Sequence, residues 1–168
     1  MSKVEKAKEQ YRLTERILSY LPGYRGYKEK EVRRETDRLV RMHAAAKLKD
    51  ALDSVRESLS SRPVREKDRE LADRVMMRLD TVRQKTGRAV AGYAGLFDIV
   101  KVKEDRLDQL VAHDEGLLAK SEEIGQQSSS LSRLSSPEEI VQRLTQILEA
   151  TNEFDGLLDR RNRIIKEL

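Results

Sequence analysis

The sequence predicts an all-α protein, an elongated bundle of about five helices with coiled-coil-like packing. Apolar residues recur at alternating spacings of three and four through most of the chain, the period of a helix with one buried face. Aromatics make up only 4% of the residues, while charged residues reach 38% and match the hydrophobic fraction. That balance suits long, surface-rich helices with a thin aliphatic core rather than a β-sandwich. The three prolines, Pro22, Pro63 and Pro137, stand at the edges of the periodic segments, where a helix stops or starts. A length of 168 residues fits one domain, 1–168.

The first helix is expected over 3–21. Val4, Ala7, Tyr11, Thr14, Leu18 and Leu21 form a heptad seam, with Leu13, Ile17 and Tyr20 widening it. Pro22 cannot continue the hydrogen-bond ladder, and Gly23 supports a left-handed cap. The second helix is expected over 27–59, closed by Ser60, Ser61 and Pro63. The third, over 63–93, carries the stripe Leu71, Val75, Leu79, Val82, Thr86, Ala89 and Tyr93, and ends in the small-residue run "GRAVAGYAG". The fourth, over 97–124, turns Leu107, Leu110, Val111, Leu117 and Leu118 inward. "GQQSSSLSRLSS" then reads as a mobile serine-rich linker over 125–136. The fifth helix, over 137–167, opens with Ser136 as N-cap, Pro137 at its first position and Glu139 completing a capping box. Its seam is Ile140, Leu144, Ile147, Thr151, Phe154, Leu158, Arg161, Ile165 and Leu168, interrupted by Arg161.

On a wheel of about 100° per residue, Val32, Thr36, Leu39 and His43 form the inner face of the second helix. Lys30, Arg34, Arg38 and Arg41 fall opposite. Glu29, Arg33, Asp37 and Arg41 alternate in sign at spacings of four, which reads as a line of surface ion pairs. Leu48, Leu52, Val55 and Leu59 share a register but lie about 180° from Leu39 and His43. The expectation is a straight helix with two packing faces. A bend at Ala44–Ala46 is the alternative.

Little chemistry can be assembled. The chain has no cysteine, so disulfides, thiolate metal sites and cysteine nucleophiles are excluded. It lacks phosphate-loop, dinucleotide, nucleophile-elbow and zinc-protease motifs. His43 reads as a core or boundary residue. Glu104, Asp105, Asp108 and His113 read as a solvated face. No enzyme activity and no cofactor are expected. The net charge is only +4, from 34 basic and 30 acidic residues, so a nucleic-acid argument must rest on local clustering. No apolar run suits a membrane span or a signal peptide, and a cytoplasmic location is expected.

One cluster stands out. "YLPGYRGYKEKEVRRETDRLVR" gathers three of the five tyrosines with seven basic residues. Tyr24, Arg25, Tyr27, Lys28, Lys30, Arg34 and Arg38 are the candidate anion- or partner-binding residues, since basic groups interleaved with aromatics suit single-stranded nucleic acid. The competing reading is a structural corner between two helices. This stretch, with the later "YAGLFDIVKVKEDRLDQL", resembles a group of uncharacterised all-helical proteins of bacteria and archaea that share a P-G-Y-x-G-Y turn, over roughly residues 15–115. The resemblance implies a prokaryotic intracellular source and carries no known activity or site residue.

The expected function is a non-enzymatic helical interaction or scaffold protein that self-associates or binds a protein partner. The alternative is a nucleic-acid- or phosphate-binding module using the basic line of the second helix. A second alternative is peripheral membrane association through the first helix.

Overall fold

The structure, a computed structural model, describes residues 3–25, 30–61, 64–88 and 104–166. Five α-helices span them: α1 Lys3–Tyr20, α2 Lys30–Ser60, α3 Arg69–Arg88, α4 Glu104–Ser130 and α5 Pro137–Lys166. Short 3-10 turns at Glu66–Asp68 and Leu131–Arg133 precede α3 and follow α4. The all-α bundle is as the heptad spacing requires.

Four helices form a ring. α2 packs on α3 and α4, α5 packs on α3 and α4, and α1 docks against α4 from outside. Cross-helix pairs set the directions. Arg78 reaches Asp155, while Lys85 reaches Asp155 and Asp159, so α3 and α5 run parallel. Asp114, Lys120 and Ser130 meet Arg161, Glu153 and Arg143 in reverse order, so α4 and α5 run antiparallel. The core they enclose is aliphatic apart from Phe154 and Tyr24, with Leu48, Val55, Leu79, Leu117, Ile124, Leu144, Ile147 and Leu158 buried. Burying one such side chain is worth about 1.5–3 kcal/mol.

In the α5 seam Leu144, Ile147, Thr151, Phe154, Leu158 and Arg161 are all buried, Ile140 is half-buried, and the side chains of Ile165 and Leu168 lie outside the description. The capping box forms as well: the Ser136 N–H donates to Glu139 Oε2 at 3.4 Å and the Glu139 N–H to Ser136 Oγ at 3.5 Å. At the α1–α2 corner Gly23 takes φ 91°, the left-handed conformation that glycine adopts without steric cost. The Tyr24 N–H closes the turn onto the Leu21 carbonyl at 3.2 Å.

Four expectations are corrected. α1 buries its heptad seam only at the end: Tyr11 and Leu18 are exposed and Thr14 is half-exposed, while Leu21 goes into the core with Ile17 of the widening line and Tyr24 of the corner. α4 does not end at Ile124, because it continues to Ser130. Serine breaks helices by drawing hydrogen bonds from the backbone, but here the hydroxyls of Ser129 and Ser130 donate to carbonyls one turn back, at 3.1 and 2.7 Å. Ser128 and Leu131 meanwhile extend the buried line from Ile124, so packing overrides local preference. α3 begins at Arg69 rather than at 63, after the 3-10 turn. Arg65 holds that turn, reaching Asp68 and Glu138 at 2.6 Å each. Residues 62–63, 89–103 and 167–168 lie outside the described ones, and with them Pro63, Ala89, Tyr93, Leu168 and the first part of the expected fourth helix.

The fourth correction concerns α2, which is continuous through Ala44–Ala46 and buries one face, not two. That face is Thr36, Asp37, Val40, Arg41, Ala44, Leu48, Ala51, Leu52, Val55 and Ser58. Leu39 and His43 lie on its border, half-buried. The apparent change of face arises from placing Asp37 and Arg41 in solvent because they are charged. Once they are taken as core, spacings of three and four run unbroken from 37 to 58.

Candidate functional site

Small polar residues occur throughout the core and mostly satisfy themselves within their own helices. Thr86 donates to the Val82 carbonyl at 2.8 Å, Thr151 to Ile147 at 2.7 Å, and Ser121 to Leu118 at 2.7 Å. At one end of the ring the polarity becomes ionic. There α2 and α4 begin and α5 finishes, and Asp37, Arg41, Asp114 and Arg161 occupy successive core positions of these helices.

Arg161 is the hub, with no solvent exposure. Its Nε donates to Asp114 Oδ1 at 2.5 Å and its Nη1 to Asp37 Oδ1 at 2.6 Å. The other oxygen of Asp37 accepts from Arg41 Nη2, one turn along α2. The result is a chain, Arg41–Asp37–Arg161–Asp114, that ties three helices together and carries two charges of each sign. Charges are tolerated in such a place only when paired and hydrogen-bonded. Arg41 is the least satisfied member: its Nε and Nη1 are buried with no hydrogen-bond partner among the described residues.

The α1–α2 corner adds a fifth group. Tyr24 is buried, and burial pushes its phenol well above the ordinary tyrosine range. The negative charge of Asp114 pushes the same way, and Arg161 partly offsets it. The neighbouring His113 is shifted down, by burial first and then by the positive charge of Arg160. In the middle of the bundle His43 and Lys47 of α2 approach Glu122 of α4 at 3.6 and 2.9 Å.

The cluster is enclosed, so its chemistry is that of position and register. It offers complementary charges to neighbouring helices and presents no exposed nucleophile or base. Among the described residues, no group of three or more histidines or carboxylates is placed to hold a metal ion, and no helix is long and apolar enough to cross a membrane.

The seven candidates from the sequence do not form one exposed surface. Tyr24 goes into the core, while Arg25 and Arg38 are exposed. Tyr27 and Lys28 lie outside the described residues. Lys30 and Arg34 belong to the first turns of α2, with side chains outside the description. The expected surface line of ion pairs is likewise corrected, since its members Asp37 and Arg41 are core residues.

The sequence reading treats Arg161 as an interruption of a seam and Asp37 as a surface partner, and does not single out Asp114. A signal was present. Asp114 lies four residues after Leu110 and three before Leu117, and Arg41 lies three before Ala44 and seven before Leu48, all core spacings. Comparison with known proteins finds no matching family model, no matching curated protein and no matching solved structure, so the functional reading rests on this chain's own residues.

Proposed function

We propose that this protein is a non-enzymatic helical interaction protein that self-associates. One observation carries the reading. α1, held to the bundle through α4, leaves Tyr11 67% and Leu18 39% exposed, and these residues stand one heptad apart on the line that its sequence marks as a seam. A seven-residue repeat of large apolar groups that the chain does not bury against itself is what a helix partner takes up. Single exposed apolar residues are common and need no explanation. Two in heptad register on one helix are a different matter.

The nucleic-acid reading keeps Arg25 and Arg38 as exposed cations but loses Tyr24 as a stacking platform, since its ring is in the core. Light scattering over a concentration series tests the proposal. Self-association gives a particle approaching twice 19.4 kDa as concentration rises, and Tyr11→Glu with Leu18→Glu returns it to monomer. A strictly monomeric chain overturns the reading. Binding to single-stranded RNA that weakens steeply with salt and is lost on charge reversal of Arg25 and Arg38 would favour the alternative.

A further inference from the structure

Resting on that reading, we propose that the partner of α1 is α1 of a second copy of this chain, paired antiparallel across a two-fold axis. With Tyr11 and Leu18 at a positions, Thr14 falls at d, and Lys8 and Glu15 fall at e beside the stripe. Tyr11, Leu18, Lys8 and Glu15 are all exposed, and Thr14 is half-exposed. Among the described residues neither Lys8 nor Glu15 has an ion-pair partner.

In an antiparallel pair, a faces d of the other helix and e faces e. The register that sets Tyr11 against Thr14 of the partner subunit also sets Lys8 against Glu15 of the partner subunit. Two-fold symmetry then makes each contact twice. The stripe is therefore self-complementary in charge as well as apolar. A parallel pair would place e against g of the preceding heptad, which brings Lys8 against a second lysine, Lys3. Charges at e and g positions select orientation in helix pairs, and here they select the antiparallel one. The other flank of α1 carries Ile17, already buried in the bundle, so the stripe has one free side and accommodates one helix. A helix of 18 residues buries a modest area, which suits a reversible dimer rather than an obligate one.

Because the chain has no cysteine, cysteine pairing reads the geometry directly. A mixture of Lys8→Cys and Glu15→Cys chains should cross-link to each other under mild oxidation, with little cross-linking of either alone. Cross-linking of Lys8→Cys chains to Lys3→Cys chains, with none between Lys8→Cys and Glu15→Cys, would instead indicate a parallel pair and overturn the proposal. Charge exchange gives an independent readout. Lys8→Glu alone and Glu15→Lys alone should each weaken the dimer about tenfold, and the double exchange should restore it. Both substituted positions, Lys8 and Glu15, are exposed, so helicity and thermal midpoint should stay at the wild-type value. Self-association that persists without either signature leaves the interaction reading standing and sinks the α1 pairing. A monomeric chain removes both. Binding of α1 to anionic vesicles, abolished by Tyr11→Glu, would assign the stripe to a lipid surface instead.

Discussion

The two ends of the helical ring are built from the same seven-residue spacing and from opposite chemistry. Towards the start of α5 the core positions are Leu144 and Ile147, in the same apolar cluster as Val55, Val75 and Leu131. Towards its end the corresponding position is Arg161, met by Asp37, Arg41 and Asp114. An apolar layer is non-directional, and any aliphatic side chains of suitable volume satisfy it. An ionic layer is satisfied in one arrangement only, because each guanidinium must meet its own carboxylate. The apolar end therefore supplies most of the stability, and the ionic end adds a penalty for helices that pair in the wrong order. Buried polar groups set register in some helical assemblies, and the position of this cluster, where α2, α4 and α5 meet, suits that role.

This contrast can be broken most severely at Arg161. Arg161→Ala takes the Arg161 guanidinium from buried Asp114 and leaves buried Asp37 with Arg41 alone, and should cost about 3–5 kcal/mol, seen as a fall in the urea midpoint. Replacing Asp37, Arg41, Asp114 and Arg161 together by leucine should be close to neutral, or stabilising by up to about 4 kcal/mol. If the ionic end specifies register, that variant also loses sharp amide dispersion in NMR spectra while keeping its helicity. A quadruple variant as well ordered as the wild type would remove the register argument.

At the apolar end, Leu144→Ala should cost about 2–5 kcal/mol through lost burial and a cavity, with no compensating second substitution of the kind available to Arg161. Gly23→Ala tests how the corner reaches the ionic end. Open space surrounds the position a Cβ would take, so the cost is that of a left-handed backbone alone, about 1–2 kcal/mol. Tyr24 should also become more accessible in the variant, as reported by tyrosine fluorescence quenching.

The smallest effect is the pH dependence from Tyr24. Its folded pKa is raised above the ordinary 10.0, so the neutral phenol is favoured in the folded state. The associated stability is fully present below pH 10.0 and falls as pH rises beyond it. Tyr24→Phe should flatten that alkaline decline. An equally steep decline in the variant would show that other groups control it.

How much of this was legible in advance differs by helix. α5 was almost entirely readable, because its cap and seam are local features and its apolar side chains are buried where their spacing puts them. α2 was readable as a helix but not as a surface. Its charged positions were placed in solvent, which split one face into two, and nothing local to Asp37 says that Arg161 lies against it. In α4 the serines were read as a linker, because their helical role depends on burial against neighbours. The α1 seam was visible as a pattern, yet which of its two overlapping apolar lines goes into the core is decided by the shape of the bundle.

The sequence by itself determined the all-α class, the left-handed corner at Gly23 and the capped start of α5, because backbone geometry and hydrophobic period act over a few residues. Only the tertiary structure decided that Asp37, Arg41, Asp114 and Arg161 are core and that Tyr11 and Leu18 are surface. The energy of a charge depends on what surrounds it, and for Arg161 those surroundings come from residues 47 and 124 positions away in the chain.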